Sequence, residues 1–436
     1  MVKRKKAGCY LCGSLDHRAK LCPSAKCSRC NSVGHDAGGC PTKPLPPVDR
    51  GHFAATKNDS TVPKHSSFTY IELFAGMGGF RVALDTLGGK CVFASETDRF
   101  CIRNYQLNFG GDRPAGDICR IQSDWIPEHD LLVGGFPCQP FSSSGSRQGM
   151  DDPKGLLFRE IVRILRAKQP KAFLLENVRG LLLHNNGKSL QRVTRELQEC
   201  GYRVQSELLD AIHLLPQERC RLYIVGIHQD CCDIQEKPIK YNFPALQELN
   251  RGIRDILQRT EGGKDALSLS DLEKLRLSHH QIEKVQSQSY TKRHPEARFL
   301  KDTSKAAKTI QSSYSKYMVG SQFVAVEDAV GANQTGSTHW RRFSSREAAR
   351  LQGFPELFHL CPERAIHMIG NAVAPPLISM VAAPLLQMLG LLSPSTNDCR
   401  EKCIGWLATK HLLLEASPND GRREKLRCSL DSCALG

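Results

Sequence analysis

The stretch that most limits what this chain can fold into is Phe68–Phe80, FTYIELFAGMGGF. It opens as an apolar strand, Tyr70–Phe74, and runs directly into Ala75-Gly76-Met77-Gly78-Gly79. A helical pattern through Val82, Ala83 and Leu87 follows. Strand, glycine turn and helix let a backbone approach a nucleotide-like ligand, so an α/β sheet with a ligand at its strand ends is expected. A second strand, Cys91–Ser95, ends in Glu96, a carboxylate about twenty residues on that suits ribose hydroxyls. Asp117-Ile118, after Gly116, adds an acid for an adenine amino group. No Lys-Ser/Thr pair follows the glycines, which favours an adenosyl group over a triphosphate.

The second informative stretch is Asp130–Ser144, DLLVGGFPCQPFSSS. Leu131–Val133 reads as the end of a buried strand, and two glycines drop the next residues into a loop at the sheet edge. Pro137 and Pro140 fix φ on either side of Cys138, so its thiol sits on a stiff loop, as a nucleophile requires. A helix with Leu157, Ile161 and Leu165 on one face comes next. Ala172–Leu175 then reads as a strand that delivers Glu176-Asn177-Val178, and Tyr202–Leu209 as another. Pro216-Gln217-Glu218-Arg219-Cys220-Arg221 leads into the apolar run Leu222–Ile227, with Arg219 and Arg221 on one side by strand alternation.

Taken in order, these blocks resemble the cytosine-C5 methyltransferase family over roughly Phe68–Leu392. They are ELFAGMGGF, Glu96, GDI at 116–118, GGFPCQPFS, ENV at 176–178, PQERCR at 216–221, RRFSSREAARLQGFP at 341–355 and IGNAVAPPL at 369–377. The resemblance implies a Rossmann-like α/β fold that uses S-adenosylmethionine, with a smaller target-recognition region. The division it suggests is a catalytic core over 68–230, the target-recognition region over 231–338, a return of the core over 339–392 and a tail over 393–436. The resemblance makes Cys138 the thiolate that adds to C6 of cytosine, and Glu176 the acid near N3. Arg221 would contact the cytosine O2, with Arg219 and Gln217 shaping the same wall. Cofactor contacts carry over to Phe74, Gly76, Met77, Gly78, Gly79, Glu96, Thr97, Asp117, Ile118, Pro137, Leu157, Asn371, Ala372 and Val373. Ala372 stands where the family commonly has serine. The last block should pack back beside the first, and a target base in duplex DNA would be flipped out of the stack.

Ahead of this body lies an internal repeat with a step of 18 residues. Cys9, Cys12, His17 and Cys22 are followed by Cys27, Cys30, His35 and Cys40, both sets reading C-x2-C-x4-H-x4-C. Three thiolates and an imidazole match tetrahedral Zn²⁺, and segments this short need the metal to fold. Residues 1–43 therefore read as two zinc knuckles with one structural Zn²⁺ each, joined to the core by a polar linker over 44–67. They resemble knuckles that bind single-stranded RNA or DNA, with Tyr10 as a stacking platform in the first. Ten basic and three acidic residues within the first fifty suit phosphate contact. The later cysteines and histidine, Cys399, Cys403, His411, Cys428 and Cys433, are irregularly spaced and do not repeat the pattern.

A formal charge of +15 favours a polyanionic partner. Nineteen cysteines without a secretion signal fit metal ligation and reduced thiols. No apolar run is expected to reach the length of a membrane span. Knuckles together with Lys3–Lys6 point to the nucleus. Two other readings stay open. An RNA methyltransferase is one, although the Cys-Phe-Thr tripeptide typical of the tRNA-modifying branch is absent. An inactive nucleic-acid-binding scaffold is the other, against the intact cysteine, glutamate and arginine.

Overall fold

The computed structural model describes residues 68–137, 157–231, 241–245, 251–258, 266–318, 320–326 and 339–393. The eight zinc-ligand candidates, the linker, Cys138 and the tail lie outside the described residues.

The first half of the body alternates strands and helices: β1 (Phe68–Leu73), α1 (Gly79–Thr86), β2 (Gly89–Ser95), α2 (Arg99–Asn108), β3 (Leu131–Gly135), α3 (Leu157–Lys168) and β4 (Ala172–Val178). It continues through α4 (Gly180–Leu183), α5 (Lys188–Gln198), β5 (Tyr202–Asp210), β6 (Gln217–Glu218) and β7 (Cys220–His228). Six strands form one sheet in the order β2-β1-β3-β4-β7-β5. β1, β2, β3 and β4 run parallel, whereas β7 runs antiparallel between β4 and β5. Parallel strands covered on both faces read as continuous apolar runs rather than alternating ones. Leu131, Leu132 and Val133 accordingly have no exposed surface.

The two faces are covered by different helices. Phe80, Ala83 and Leu84 of α1 pack with Tyr70, Val133 and Leu174 on one face. Phe158, Ile161 and Leu165 of α3, with Val193 and Leu197 of α5, cover Ile71, Leu132 and Leu175 on the other. The predicted strand and helix faces are therefore observed, each strand running a residue or more longer than its apolar run.

The region after β7 holds three short helices, α6 (Leu269–Leu275), α7 (His279–Gln286) and α8 (Ser289–Arg293). Its strands are β8 (Phe299–Leu300), β9 (Ala307–Lys308) and β10 (Phe323–Val326), and β10 also pairs with β11 (His339–Arg341). A buried arginine organises this region: Arg298 donates to Ser321 O, Gln288 Oε1 and Thr291 Oγ1. The chain then returns through α9 (Ser345–Gln352), α10 (Ala365–Asn371) and α11 (Pro375–Met388). α9 starts on a capping box between Ser344 and Glu347, and Glu347 also takes a two-pronged, buried ion pair from Arg341. α11 lies against α1, with Leu377, Ile378, Val381 and Leu385 fully buried and Ser379 Oγ donating to Ala83 O.

Ala365–Met388 is apolar and long enough to cross a membrane, which corrects the sequence reading that no run reaches that length. Its most apolar window is 83% buried within the protein, as in a core helix.

Glycine at 226 is required by packing. A Cβ there would stand 2.1 Å from the ring of Phe173 on the neighbouring β4, itself fully buried. Gly226→Ala is expected to destabilise the body by ~1–3 kcal/mol through overpacking. Urea denaturation checks this, and an unchanged midpoint would count against the packing described.

Beneath α1, Glu72 is fully buried and accepts from Tyr105 Oη at 3.3 Å, while its Oε1 has no partner among the described residues. Burial raises its carboxyl from 4.5 to about 8, against the opposing charge of Arg81. The folded protein thus holds a proton that the unfolded chain releases between these values. Stability from this group is fully present below pH 4.5 and is lost as pH rises through about 8. Glu72→Gln should flatten that decline, which chemical denaturation at a series of pH values would reveal.

Candidate active site

Four parallel strands end at one edge of the sheet, and the antiparallel β7 begins there. That arrangement brings residues distant in sequence to one place. In the β3–β4 register Gly135 faces Glu176, and in the β4–β7 register Val178 faces Arg221. Glu176 Oε1 lies 3.2 Å from Arg221 Nε, with both side chains largely buried. Burial pushes the Glu176 carboxyl above its ordinary value, and the guanidiniums of Arg221 and then Arg219 oppose this. A carboxyl raised in this way retains its proton closer to neutral pH, so it can donate to a substrate.

The loop leaving β3 is tied to the same strand. Asn177 Nδ2 donates to Phe136 O at 3.1 Å, and Asn177 Oδ1 accepts from Val178 N. Phe136 is buried against Phe158 of α3, with ring centroids 5.5 Å apart. The chain is therefore fixed up to Pro137, one residue before Cys138. Sequence reasoning gave Asn177 no role, although a polar residue closing a buried strand was a signal that its amide would need partners.

Beside this lies the glycine turn at the ends of β1 and β2. Phe74 and Gly76 both take positive φ, 56° each, and a Cβ at Gly76 would meet nothing within 4 Å. Glu96 holds the turn: its Oε2 accepts from Gly76 N at 2.7 Å, and its Oε1 accepts from Thr97 N and Asp98 N. Ile118 is buried, its carbonyl accepting from Arg163 Nη2, while Asp117 caps the turn at Cys119 N and is partly exposed. Leu157 opens α3 at the partly buried end. Gly78 and Gly79 are packed rather than open. A Cβ on Gly78 would strike the Phe109 ring, and one on Gly79 would stand 2.7 Å from Val373 Cγ2.

The last block does pack beside the first, as the resemblance implied. Val373 contacts both Gly79 and the Gly135 position, where an added Cβ would lie 3.8 Å from Val373 Cγ1. Asn371 is exposed, and Ala372 is buried with its carbonyl directed inward. An acid that orders the glycine turn and a permissive, open backbone at Gly76 fit an adenosyl group.

Three of the expected site residues also serve the framework of the fold. Met77 is buried in the cluster with Val82, Ile369 and Ala372, so its side chain serves the core. Arg219 and Gln217 are both buried, with Arg219 near enough for its charge to act on Glu176. Arg219 stands between β6 and β7, and β6 pairs with β9, so strand alternation does not run through it. Its guanidinium is buried and donates to Ala372 O at 2.6 Å, Gly370 O and Ile310 O. Gln217, fully buried, donates to Leu351 O and Gln352 Oε1 and accepts from Ile310 N. Both are framework groups, and Gln352, which also donates to Ala372 O, belongs with them.

Among the described residues no three His, Cys, Asp or Glu side chains converge to hold a metal ion.

Comparison with known proteins agrees with this geometry. The type II methyltransferase M.DsaV of Dactylococcopsis salina is 37% identical over 327 residues, covering 74% of this chain and 87% of that protein. M.HhaI of Haemophilus parahaemolyticus, also a type II methyltransferase, is 32% identical over 319 residues, covering 72% and 92%. In fold, the body is similar to the Dnmt2 methyltransferase of S. pombe, with a TM-score of 0.53 and 20% identity over 73% of this chain and 98% of that one. The Entamoeba histolytica methyltransferase EhMeth gives a TM-score of 0.56 at 18% identity, with the same coverage. Residues 68–387 match the family described as C-5 cytosine-specific DNA methylase, and the chain belongs to that family.

Proposed function

We propose that the chain transfers a methyl group to C5 of cytosine in DNA, with Cys138 as nucleophile. The observation that carries this reading is the buried Glu176–Arg221 pair at the sheet edge, beside the fixed approach to Cys138. The family description supports DNA as the substrate class.

The Cys138 thiolate forms a bond to C6 of the base, and the C5–C6 electron pair shifts toward C5. Glu176 donates its proton at N3, which neutralises the charge that builds up on the ring. Arg221 faces O2 and keeps the ring oriented. When bound, S-adenosylmethionine supplies an activated methyl group to C5. Phe74, Gly76, Glu96, Ile118 and Val373 are the residues that would hold it, with Glu96 toward the ribose. Loss of the C5 proton to a base then restores the double bond and expels the thiolate, and the N3 proton returns to the Glu176 carboxylate. A target inside a duplex reaches this pocket by flipping out of the stack.

The two CCHC knuckles complete the proposal. Each holds one Zn²⁺, and together they bind nucleic acid, with single strands of RNA or DNA as their natural ligands. The basic N-terminal run supports action in the nucleus.

Transfer of labelled methyl groups to duplex DNA, single-stranded DNA and tRNA tests the reaction. Duplex DNA should be labelled, Cys138→Ser should abolish the label, and label in tRNA alone would overturn the DNA assignment. Glu176→Gln should lower kcat by ~10²–10⁴-fold. The wild-type rate should also fall on the basic side as Glu176 loses its proton, at a pH above the ordinary carboxyl range, and Glu176→Gln should lack that limb. Metal analysis of the intact chain should find two zinc ions, one of which is lost in Cys12→Ser and the other in Cys30→Ser. A zinc-free chain would remove the knuckles from the proposal.

A further inference from the structure

The face of the sheet opposite α1 and α11 carries an unassigned charged groove. It runs between α3 and α5 as an open cleft of about 680 Å³. Arg159, Arg163 and Arg166 line it from α3, at spacings of four and three residues that place them along one helix face. Arg192 and Arg195 line it from α5.

The five arginines divide into two groups. Arg163 is engaged, with contacts to Glu160, Ser123 Oγ and Ile118 O, and Arg192 pairs with Glu196 at 2.9 Å. Arg159, Arg166 and Arg195 are exposed. Arg166 and Arg195 share one exposed carboxylate, Glu199, at 3.8 and 3.9 Å. Pairs of this length in solvent neutralise little. The groove therefore presents a line of available guanidiniums. Along α3 the line extends ~10 Å from Arg159 to Arg166 at 1.5 Å per residue. One strand of a duplex presents a phosphate about every 3.4 Å of axis, with successive phosphates roughly twice that apart in space, so the line matches two or three of them.

We propose that this groove binds the phosphodiester backbone of nucleic acid outside the catalytic pocket, independently of base sequence. The identity of the polymer rests on the nucleic-acid substrate proposed above. Val162 is the one apolar residue lining the groove, and it is buried, so the surface lacks the aromatic or aliphatic anchors of a protein interface. Backbone contact needs none, and guanidinium forks match phosphate oxygens. The groove adds affinity for long polymers and leaves the chemistry unchanged.

The test uses the full chain with Arg159→Gln, Arg166→Gln and Arg195→Gln combined, sparing Arg163 because it supports Ile118. Fluorescence anisotropy with a long non-target duplex, across a salt series, should show affinity reduced about tenfold or more. The slope of log K against log salt should fall by ~2.7, for three lost phosphate contacts. The corresponding triple lysine variant should retain most of both. Methyl transfer to a short duplex holding only the target and its immediate flanks should be unchanged. An unaltered slope and affinity would overturn the groove. So would poly-glutamate that outcompetes the duplex on wild type but not on the glutamine variant, since the groove would then dock an acidic protein. Absence of transfer by the wild type on the short duplex would count against the proposed reaction alone, while the salt slope still judges the groove.

Discussion

The site depends on one buried charged side chain. Arg219 lies buried between the sheet and the returning chain, and its guanidinium donates to the carbonyls of Ala372 and Gly370, about 150 residues away in sequence. A guanidinium in such a place is strongly unfavourable unless its donors are matched. The match is possible only when α10 has ended with its carbonyls turned inward and Ile310 has come alongside. Gln217 and Gln352 close the same joint from neighbouring positions. Hydrogen bonds of this charged kind contribute ~1.5–3 kcal/mol each. The joint thereby sets Val373 against Gly79 at the glycine turn.

The chemistry is decided by burial in a similar way. Glu176 sits near two guanidiniums, which alone would lower its carboxyl. Removal from water acts in the opposite direction and prevails. The β4–β7 register makes this possible, because an antiparallel strand brings its first residues, Arg221 among them, to the edge where parallel strands bring their last. Two groups that travel in opposite chain directions meet there without a long loop.

Much of this could be read from residues alone. Five of the six strands of the main sheet announce themselves as apolar runs, β5 being mixed, and the glycine turn announces the break between β1 and α1. The acid at 96 and the acid at 176 were both found because each closes a strand. The alternation that put Arg219 and Arg221 on one side was extended through Pro216–Cys220, whereas β6 turns aside to pair with β9. β9 is two residues long, and nothing in Ala307–Lys308 marks it as a strand. Its pairing is a tertiary fact. Met77 was carried over with its block, and local pattern does not distinguish a backbone contact from a side-chain one. Asn177 and Gln352 show the converse, since each is a fully buried amide whose importance lies in the carbonyl it finds.

The packing of α11 along α1 has a topological consequence. Both helices leave the site edge together, held at the top by Gly79 and Val373 and farther along by Ser379 and Ala83. Phe68, where β1 begins, and Leu392, just beyond α11, belong to the same apolar cluster. The two ends of the catalytic body thus lie in one apolar layer, the one that α1 and α11 share. Truncation at either end would open that same layer, so the first strand and the last helix support one another although they stand at opposite ends of the body's sequence.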